Sequence, residues 1–394
     1  MERDRGPGLG VRRGRLTVAV VLVMIAAGVL ASSIFVSRAE QPSRPASAAA
    51  LPKTVPSPFE NLPVGWTKLP TPPEVRNRAA TLWTGYDLFV WGGYVYTGFS
   101  DEEPRADGVV FRARVREWEF ITPSPLAPRV DPASAWTGSE MVIWGGTDRH
   151  GVKFFDDGAA YDPRTRAWRK LPDAPIKARA ALSVWTGHEF IVWGTTVRGD
   201  ARYRDGAAYD PVANSWRTIE DAPIELTDAN AVWTGREMIV FGAALHAGNV
   251  PESKTAIGAA YDPRVDEWRR LPPSNLSPQA STISWNGREL IAWDYLNKSD
   301  IYDPDEDTWR GPHAVPVEAG ECFPRSVSVG RDVFGAYCGL FVSFGAHNEA
   351  WKKLTPEFLD WSVEPVAAEP VVLLLGRNAE TDDELLMAYR APNW

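Results

Sequence analysis

The chain has 394 residues and a formal net charge of −9, from 42 basic and 51 acidic side chains. No basic excess is available to neutralise phosphates, so nucleic acid is excluded as an expected partner. With 18 Trp, 33 Pro and only two cysteines, the composition favours short aromatic strands broken by turns. It offers neither a thiolate metal cluster nor a dense disulfide framework.

Residues 1–15 form a short basic segment carrying Arg3, Arg5, Arg12, Arg13 and Arg15. Residues 16–36 (LTVAVVLVMIAAGVLASSIFV) hold 21 residues without a charge. At about 1.5 Å per helical residue they match a hydrocarbon core of roughly 30 Å. The expectation is a single transmembrane signal-anchor helix, with the arginines holding the N-terminus in the cytoplasm. A cleavable leader is the rival reading, since Ser37-Arg38-Ala39 offers small residues at a cleavage-like position. Residues 37–63, rich in Pro, Ser and Ala, read as a semi-extended tether too polar and too broken to pack.

From residue 64 the sequence repeats. Trp-Thr-Gly begins at Trp83, Trp136, Trp185 and Trp233, and the variant Trp-Asn-Gly begins at Trp285, at steps of 53, 49, 48 and 52 residues. Each motif is followed by an apolar run: LFVWGG (88–93), MVIWGG (141–146), FIVWGT (190–195), MIVFGA (238–243) and LIAWDY (290–295). An aromatic residue then precedes a tryptophan by seven positions, as in Phe111 and Trp118, Tyr161 and Trp168, Tyr209 and Trp216, Tyr261 and Trp268, Tyr302 and Trp309, and Phe344 and Trp351. A period near fifty with four short strands per unit predicts a ring of stacked sheets, because one such sheet cannot bury both faces alone.

After Trp351 the chain supplies three further strand-like runs (WSVEPVAA, PVVLLLG, ELLMAYRAP), one short of a unit. The orphan Trp66-Thr67-Lys68-Leu69-Pro70 resembles Trp168-Arg169-Lys170-Leu171-Pro172. Pairing the two ends removes exposed sheet edges and gives seven four-stranded blades over residues 64–394. Six blades with a capping tail is the second choice.

The diglycines Gly92-Gly93 and Gly145-Gly146, with the Tyr and Trp seven apart, resemble the kelch repeat over about residues 64–394. The resemblance implies an all-β kelch-type β-propeller around a central channel. It also implies that arginines at the start of the innermost strands bind carboxylates, which singles out Arg78, Arg129, Arg179 and Arg325 as a cup for an anionic ligand. The Arg fork suits such a ligand. The alternative is that these arginines pair with acids of the protein itself.

The loops after the second strands (94–107, 147–157, 195–205 and 243–256) mix Arg, His, Tyr and Phe and are where binding residues concentrate on a rigid scaffold. Arg149, His150, Arg202, Tyr203 and His246 are the candidates there. Copper chemistry of the galactose-oxidase type needs two His and two Tyr. Here His150, His246 and His313, with Tyr94, Tyr96 and Tyr203, come from separate loops with no mutual spacing rule, and no metal or cofactor is expected. Glu102, Glu103, Asp156, Asp157 and Glu252 are candidate acid-base groups for a sialic-acid-epimerase-like reaction, although exposed loop acids chiefly solubilise. Cys322 and Cys338 either form one disulfide outside the cytoplasm or are two unrelated apolar side chains. The sequence as a whole predicts a membrane-anchored extracytoplasmic module that binds a protein or an acidic glycan, with a carbohydrate-active enzyme, anchored or secreted, as the alternative.

Overall fold

The computed structural model describes residues 56–96, 102–194, 203–243, 245–246, 250–251, 255–277, 282–317, 324–354, 363–378 and 380–392. The apolar run 16–36 therefore lies outside the described residues. Among the described residues no helix is long and apolar enough to cross a membrane.

Seven four-stranded antiparallel sheets form the domain. Blades 1 to 6 take their strands in chain order, with innermost strands Ala80–Trp83, Ala133–Trp136, Leu182–Trp185, Thr227–Trp233, Thr282–Trp285 and Arg325–Val329. Blade 7 combines Glu364–Ala368, Val371–Arg377 and Glu384–Arg390 with Gly65–Lys68 from the other end of the sequence. The register is Gly65 to Arg390, Trp66 to Tyr389, Thr67 to Ala388 and Lys68 to Met387. Each innermost strand contacts the next around the ring, and Glu364–Ala368 returns to Ala80–Trp83. The expected closure by both ends is what the chain adopts, and seven blades is the count.

The second strands show why the apolar runs lack alternation. Along Leu88–Trp91, Phe89 and Trp91 pack against Met141, Ile143 and Tyr161 of blade 2. Leu88 and Val90, on the opposite face, pack against Leu373, Leu375 and Leu386 of blade 7. Both faces of a blade are interior, so the middle strands are apolar on both faces along runs such as Leu88–Trp91 and Met141–Trp144.

Between blades the contact is aromatic and directional. The outermost-strand tryptophan of one blade packs at a tilt against the second-strand aromatic of the blade before: Trp168 on Trp91 at 5.9 Å, Trp216 on Trp144 at 5.9 Å, Trp268 on Trp193 at 5.5 Å, Trp309 on Phe241 at 5.2 Å and Trp351 on Trp293 at 5.2 Å. Its indole N–H donates to the linker leaving that earlier blade: Trp118 to Pro70 O (2.9 Å), Trp168 to Thr122 O (2.8 Å), Trp216 to Pro172 O (3.0 Å), Trp268 to Glu220 O (2.8 Å) and Trp309 to Pro272 O (2.8 Å).

On the face carrying the Thr-Gly and Asp-Pro turns, the arginine just after the tryptophan in blades 2, 3 and 4 makes a second link. Arg169 forks onto Glu140 of its own blade at 2.9 and 2.6 Å and donates to Tyr209 OH of the next at 2.8 Å. Arg217 does the same with Glu189 and Tyr261, and Arg269 with Glu237 and Tyr302. Burial and the hydrogen bond to Asp307 push the Tyr302 hydroxyl up to about 12, so it stays a neutral partner at physiological pH.

Residues 56–63 depart from the tether expected over 37–63. Phe59 is fully buried and stacks on Trp83 at 5.4 Å. Arg390 donates to Glu60 O and Leu62 O, both at 2.6 Å, and Arg114 to Pro56 O at 3.2 Å. One buried aromatic and its clamped carbonyls outweigh the proline content, so the packed domain begins near residue 56, on the Thr-Gly face.

Replacing Trp216 by Phe keeps the aromatic packing and removes the bond to Pro172, at an expected cost of about 1 kcal/mol. Trp216→Ala also opens a cavity at the seam and is expected to cost about 3–5 kcal/mol. Chemical denaturation of the two variants checks the ratio; a Phe variant as stable as the parent would deny the indole bond a role.

Candidate functional site

The face opposite the Thr-Gly turns carries the loops after the second strands and the linkers between blades. Its framework is built by the diglycines. Gly93 N–H donates to Arg129 O at 2.9 Å, and Gly146 N–H to Arg179 O at 2.8 Å, so each loop is tied to the linker of the following blade. Gly145 sits at φ 67°, and a Cβ there would stand 2.5 Å from Arg179 O. Only glycine allows that approach.

Two of the four proposed cup arginines belong to this framework. Arg129 and Arg179 are both 0% exposed. Arg129 donates to Ala127 O at 3.0 Å and Gly145 O at 3.0 Å, pairs with Asp157 at 2.8 Å and lies 4.1 Å over the Phe155 ring. Arg179 donates to Lys177 O at 2.9 Å, forks onto Asp205 at 2.8 and 3.0 Å, and lies 3.8 Å over Tyr203. Arg76 repeats the arrangement in blade 1, donating to Asp107 O at 2.7 Å. Arg129 and Arg179 therefore do not reach the channel mouth. Burial lowers the Arg129 guanidinium from its ordinary value, against the opposing pull of Asp157. Desolvation raises Asp205, but its pairing with Arg179 outweighs this and leaves the carboxyl below its usual range.

The other two arginines stand at the mouth, and both are paired. Arg78 of blade 1 donates from Nε to both oxygens of Asp131 of blade 2 at 3.0 and 2.9 Å, with a further bond from Nη2. Arg325 of blade 6 is paired with Glu364 of blade 7. The channel walls lower the Arg325 guanidinium, while Asp131 and Tyr94 act to raise it. Arg78, Asp131 and Asp228 each stand five residues before the tryptophan of their blade, all in the left-handed region, at φ 55°, 47° and 46°. Desolvation raises the Asp228 carboxyl above its ordinary value.

A cleft of about 400 Å³ opens beside this arc, lined by Arg78, Asp131, Thr147, Arg149, His150 and Phe154, with Ala180 and Gly151. Asp148 shapes its rim by accepting from Val152 N at 2.8 Å, which holds its carboxyl below the ordinary value. The structure thus brings Arg78, Arg149 and His150 together. Tyr203 is instead the platform for Arg179, and Arg202 and the side chain of His246 lie outside the described residues. His313 pairs with Ser299 in the outermost strand of blade 5, away from the cleft. Cys338 is disulfide-bonded; Cys322, the other cysteine of the chain, lies outside the described residues. Among the described residues, no group of three or more His, Cys, Asp and Glu is placed to hold a metal. Sequence reasoning missed Asp131, Thr147 and Phe154. Aligning the repeats on their tryptophans would have put Asp131 in register with Arg78.

The family model for the KLHDC2/KLHL20/DRC7 Kelch-repeats domain matches residues 77–285, more than half of the chain. The chain belongs to the kelch-repeat family. Among solved structures, this kelch propeller is similar to one titled "Structure of YjhT", with a TM-score of 0.50 and 13% sequence identity over 73% of this chain and 99% of that one. That likeness speaks to the fold alone. No curated protein matches the chain in sequence.

Arg179→Ala leaves Asp205 without its cation and is expected to cost about 2–3 kcal/mol, less than breaking a fully buried pair because Asp205 is 39% exposed. Arg78→Ala is expected to cost under about 1 kcal/mol, since both partners are more than a third exposed. Urea titration separates the two. Because Asp205 is depressed in the folded state, its contribution is present above the ordinary carboxyl range and fades as pH falls below about 4. Arg179→Ala is therefore expected to lose less stability than the parent between about pH 5 and pH 3; equal acid slopes would contradict the pairing.

Proposed function

We propose that the chain is a membrane-anchored recognition module whose kelch propeller lies outside the cytoplasm and binds a partner protein at the channel-mouth cleft of blades 1 to 3. The observation that carries this reading is the division of labour among the charged and aromatic groups. Arg129, Arg179, Arg169, Arg217 and Arg269 join strands, loops and blades, whereas Arg78 and Asp131, a pair reached by water, line with Arg149, His150 and Phe154 an open cleft on loops held by rigid sheets. Membership of the kelch family points the same way, towards protein interaction.

The anchor rests on the uncharged run 16–36 behind five arginines. The disulfide at Cys338 favours an oxidising compartment. A purely acidic glycan is the weaker candidate ligand, because Arg78 and Arg325 already hold carboxylates of the protein itself.

A photoreactive amino acid at position 154 is expected to capture a protein partner from the source cells. The same probe at position 212 tests the other face, where Val212 is 96% exposed, and should capture none. Equal capture at both positions, or none at 154, rejects the cleft as the binding face.

A further inference from the structure

Blade 5 breaks the repeat inside its own core. On its third strand Asp300 pairs with Ala292, the place held in blades 2, 3 and 4 by Ala159, Ala207 and Ala259. Those three alanines and Asp300 are all buried. Ala292 packs with Ile239 and Phe241 of blade 4, and on that side Asp300 meets the linker that joins the two blades. Its Oδ2 accepts from Asn275 N at 2.9 Å and from Asn275 Nδ2 at 3.1 Å. Two residues along the same linker, Oδ2 of the buried Asp294 accepts from Ser277 N at 2.8 Å. Two buried carboxyls thus clamp one short stretch of chain. We propose that this clamp holds one proton, on Asp300 beside an ionised Asp294, and that losing it releases the linker, which makes the seam between blades 4 and 5 a pH-sensitive switch. The seam is no part of the cleft over blades 1 to 3, and its switch stands or falls independently of what that cleft binds.

The two carboxyls differ in what surrounds them. Asp294 has donors for each oxygen, Leu296 and Lys298 N–H on Oδ1 and Ser277 N–H on Oδ2, an arrangement that stabilises the charged form. Asp300 has both its donors on Oδ2, and its buried Oδ1 has no hydrogen-bond partner among the described residues. A bulge is the reason. Ser299 pairs with His313 and Ile301 with Arg310, so Gly311 and Pro312 together face Asp300. Proline has no N–H to offer, and Gly311 stands so near that a Cβ there would collide with Oδ1. An ionised Asp300 would hold an unsatisfied oxygen in a dry seam beside a second anion, whereas the protonated acid removes one of the two like charges. The charged groups acting on Asp300 are Asp294, from the loop after the second strand, and His313, from the outermost strand; the linker supplies the neutral Asn275. Burial lifts the Asp300 carboxyl above its ordinary value and Asp294 adds to this, against the donors of Asn275 and the charge of His313. The folded chain therefore keeps a proton that the unfolded chain gives up above about pH 4, and stability falls as pH rises from there until folded Asp300 ionises.

Urea denaturation of the full chain and of Asp300→Asn, which keeps an acceptor for Asn275 and never ionises, tests this between about pH 4 and pH 8. The folding constant of the parent is expected to fall against that of Asp300→Asn by up to about tenfold per pH unit above about pH 4, so that the variant is the more stable at the alkaline end. Asp294→Asn takes the anion from three N–H groups and should be less stable than the parent there, the opposite direction. Hydrogen exchange reads the release itself: protection of the Asn275 and Ser277 amides, corrected for the intrinsic effect of pH, should fall with rising pH in the parent and hold in Asp300→Asn. Asp300→Ala, which copies the sister blades, is the second variant and should share the pH profile of Asp300→Asn. Parallel profiles for the parent and both variants, linker protection in the parent that does not change with pH, or an Asp294→Asn more stable than the parent each overturn the inference. Failure of both Asp300 variants to fold at every pH overturns it too, since the charge itself would then be what the seam needs.

Discussion

The indole that reaches backwards holds this ring together. In each of blades 2 to 6 the tryptophan of the outermost strand lies on an aromatic ring of the preceding blade, and in blades 1 to 5 its N–H holds the linker leaving that blade. A flat stack of sheets has no preferred rotation, but a donor aimed at one carbonyl 44 residues upstream, as Trp216 is at Pro172 O, fixes the step from blade to blade. The arginine forks on the Thr-Gly face repeat the constraint on the other side. With the seams fixed in this way around the ring, the closing strand Gly65–Lys68 finds one register with Glu384–Arg390.

This explains which parts of the molecule were legible in the sequence. A contact made once per blade leaves a mark once per period, so the Trp-Thr-Gly beat and the Tyr and Trp seven apart gave the strand content, the blade count and the closure by Trp66. The arginines show the limit of that reasoning. Position alone placed Arg78, Arg129 and Arg179 in one set, yet the linker of blade 3 is one residue shorter between its arginine and its tryptophan than that of blade 2, and the true equivalent of Arg129 in blade 1 is Arg76. One residue decides whether a guanidinium turns under the diglycine loop or out into the channel. Periodicity does not report such a shift; the left-handed backbone at Arg78 and Asp131 does.

The stretch 56–63 is a second place where composition misled. Its prolines and polar residues describe the chain when it packs against nothing, but Phe59 meets Trp83 at the seam that closes the ring. Burial of a single aromatic, with Arg390 and Arg114 taking up the backbone carbonyls around it, is enough to order a short segment that has no secondary structure of its own.

The cleft lies over blades 1 to 3 for the same reason that the kelch pattern is strongest there. Intact diglycines bring the loops of blades 1 and 2 down onto the buried arginine linkers of blades 2 and 3, leaving their outer residues on a fixed base. In blade 5, Asp294 replaces the first glycine. Its carboxylate accepts from Ser277, Leu296 and Lys298 N–H at 2.8, 3.0 and 3.0 Å, so a buried side chain closes the turn and joins it to the linker. That solution places a charge inside the blade where blades 1 and 2 have a bare backbone contact, and its loop from Asp294 to Lys298 is too short to present a binding surface. In blade 5 the lost diglycine and the short loop are thus two results of a single change in how the loop after the second strand is anchored.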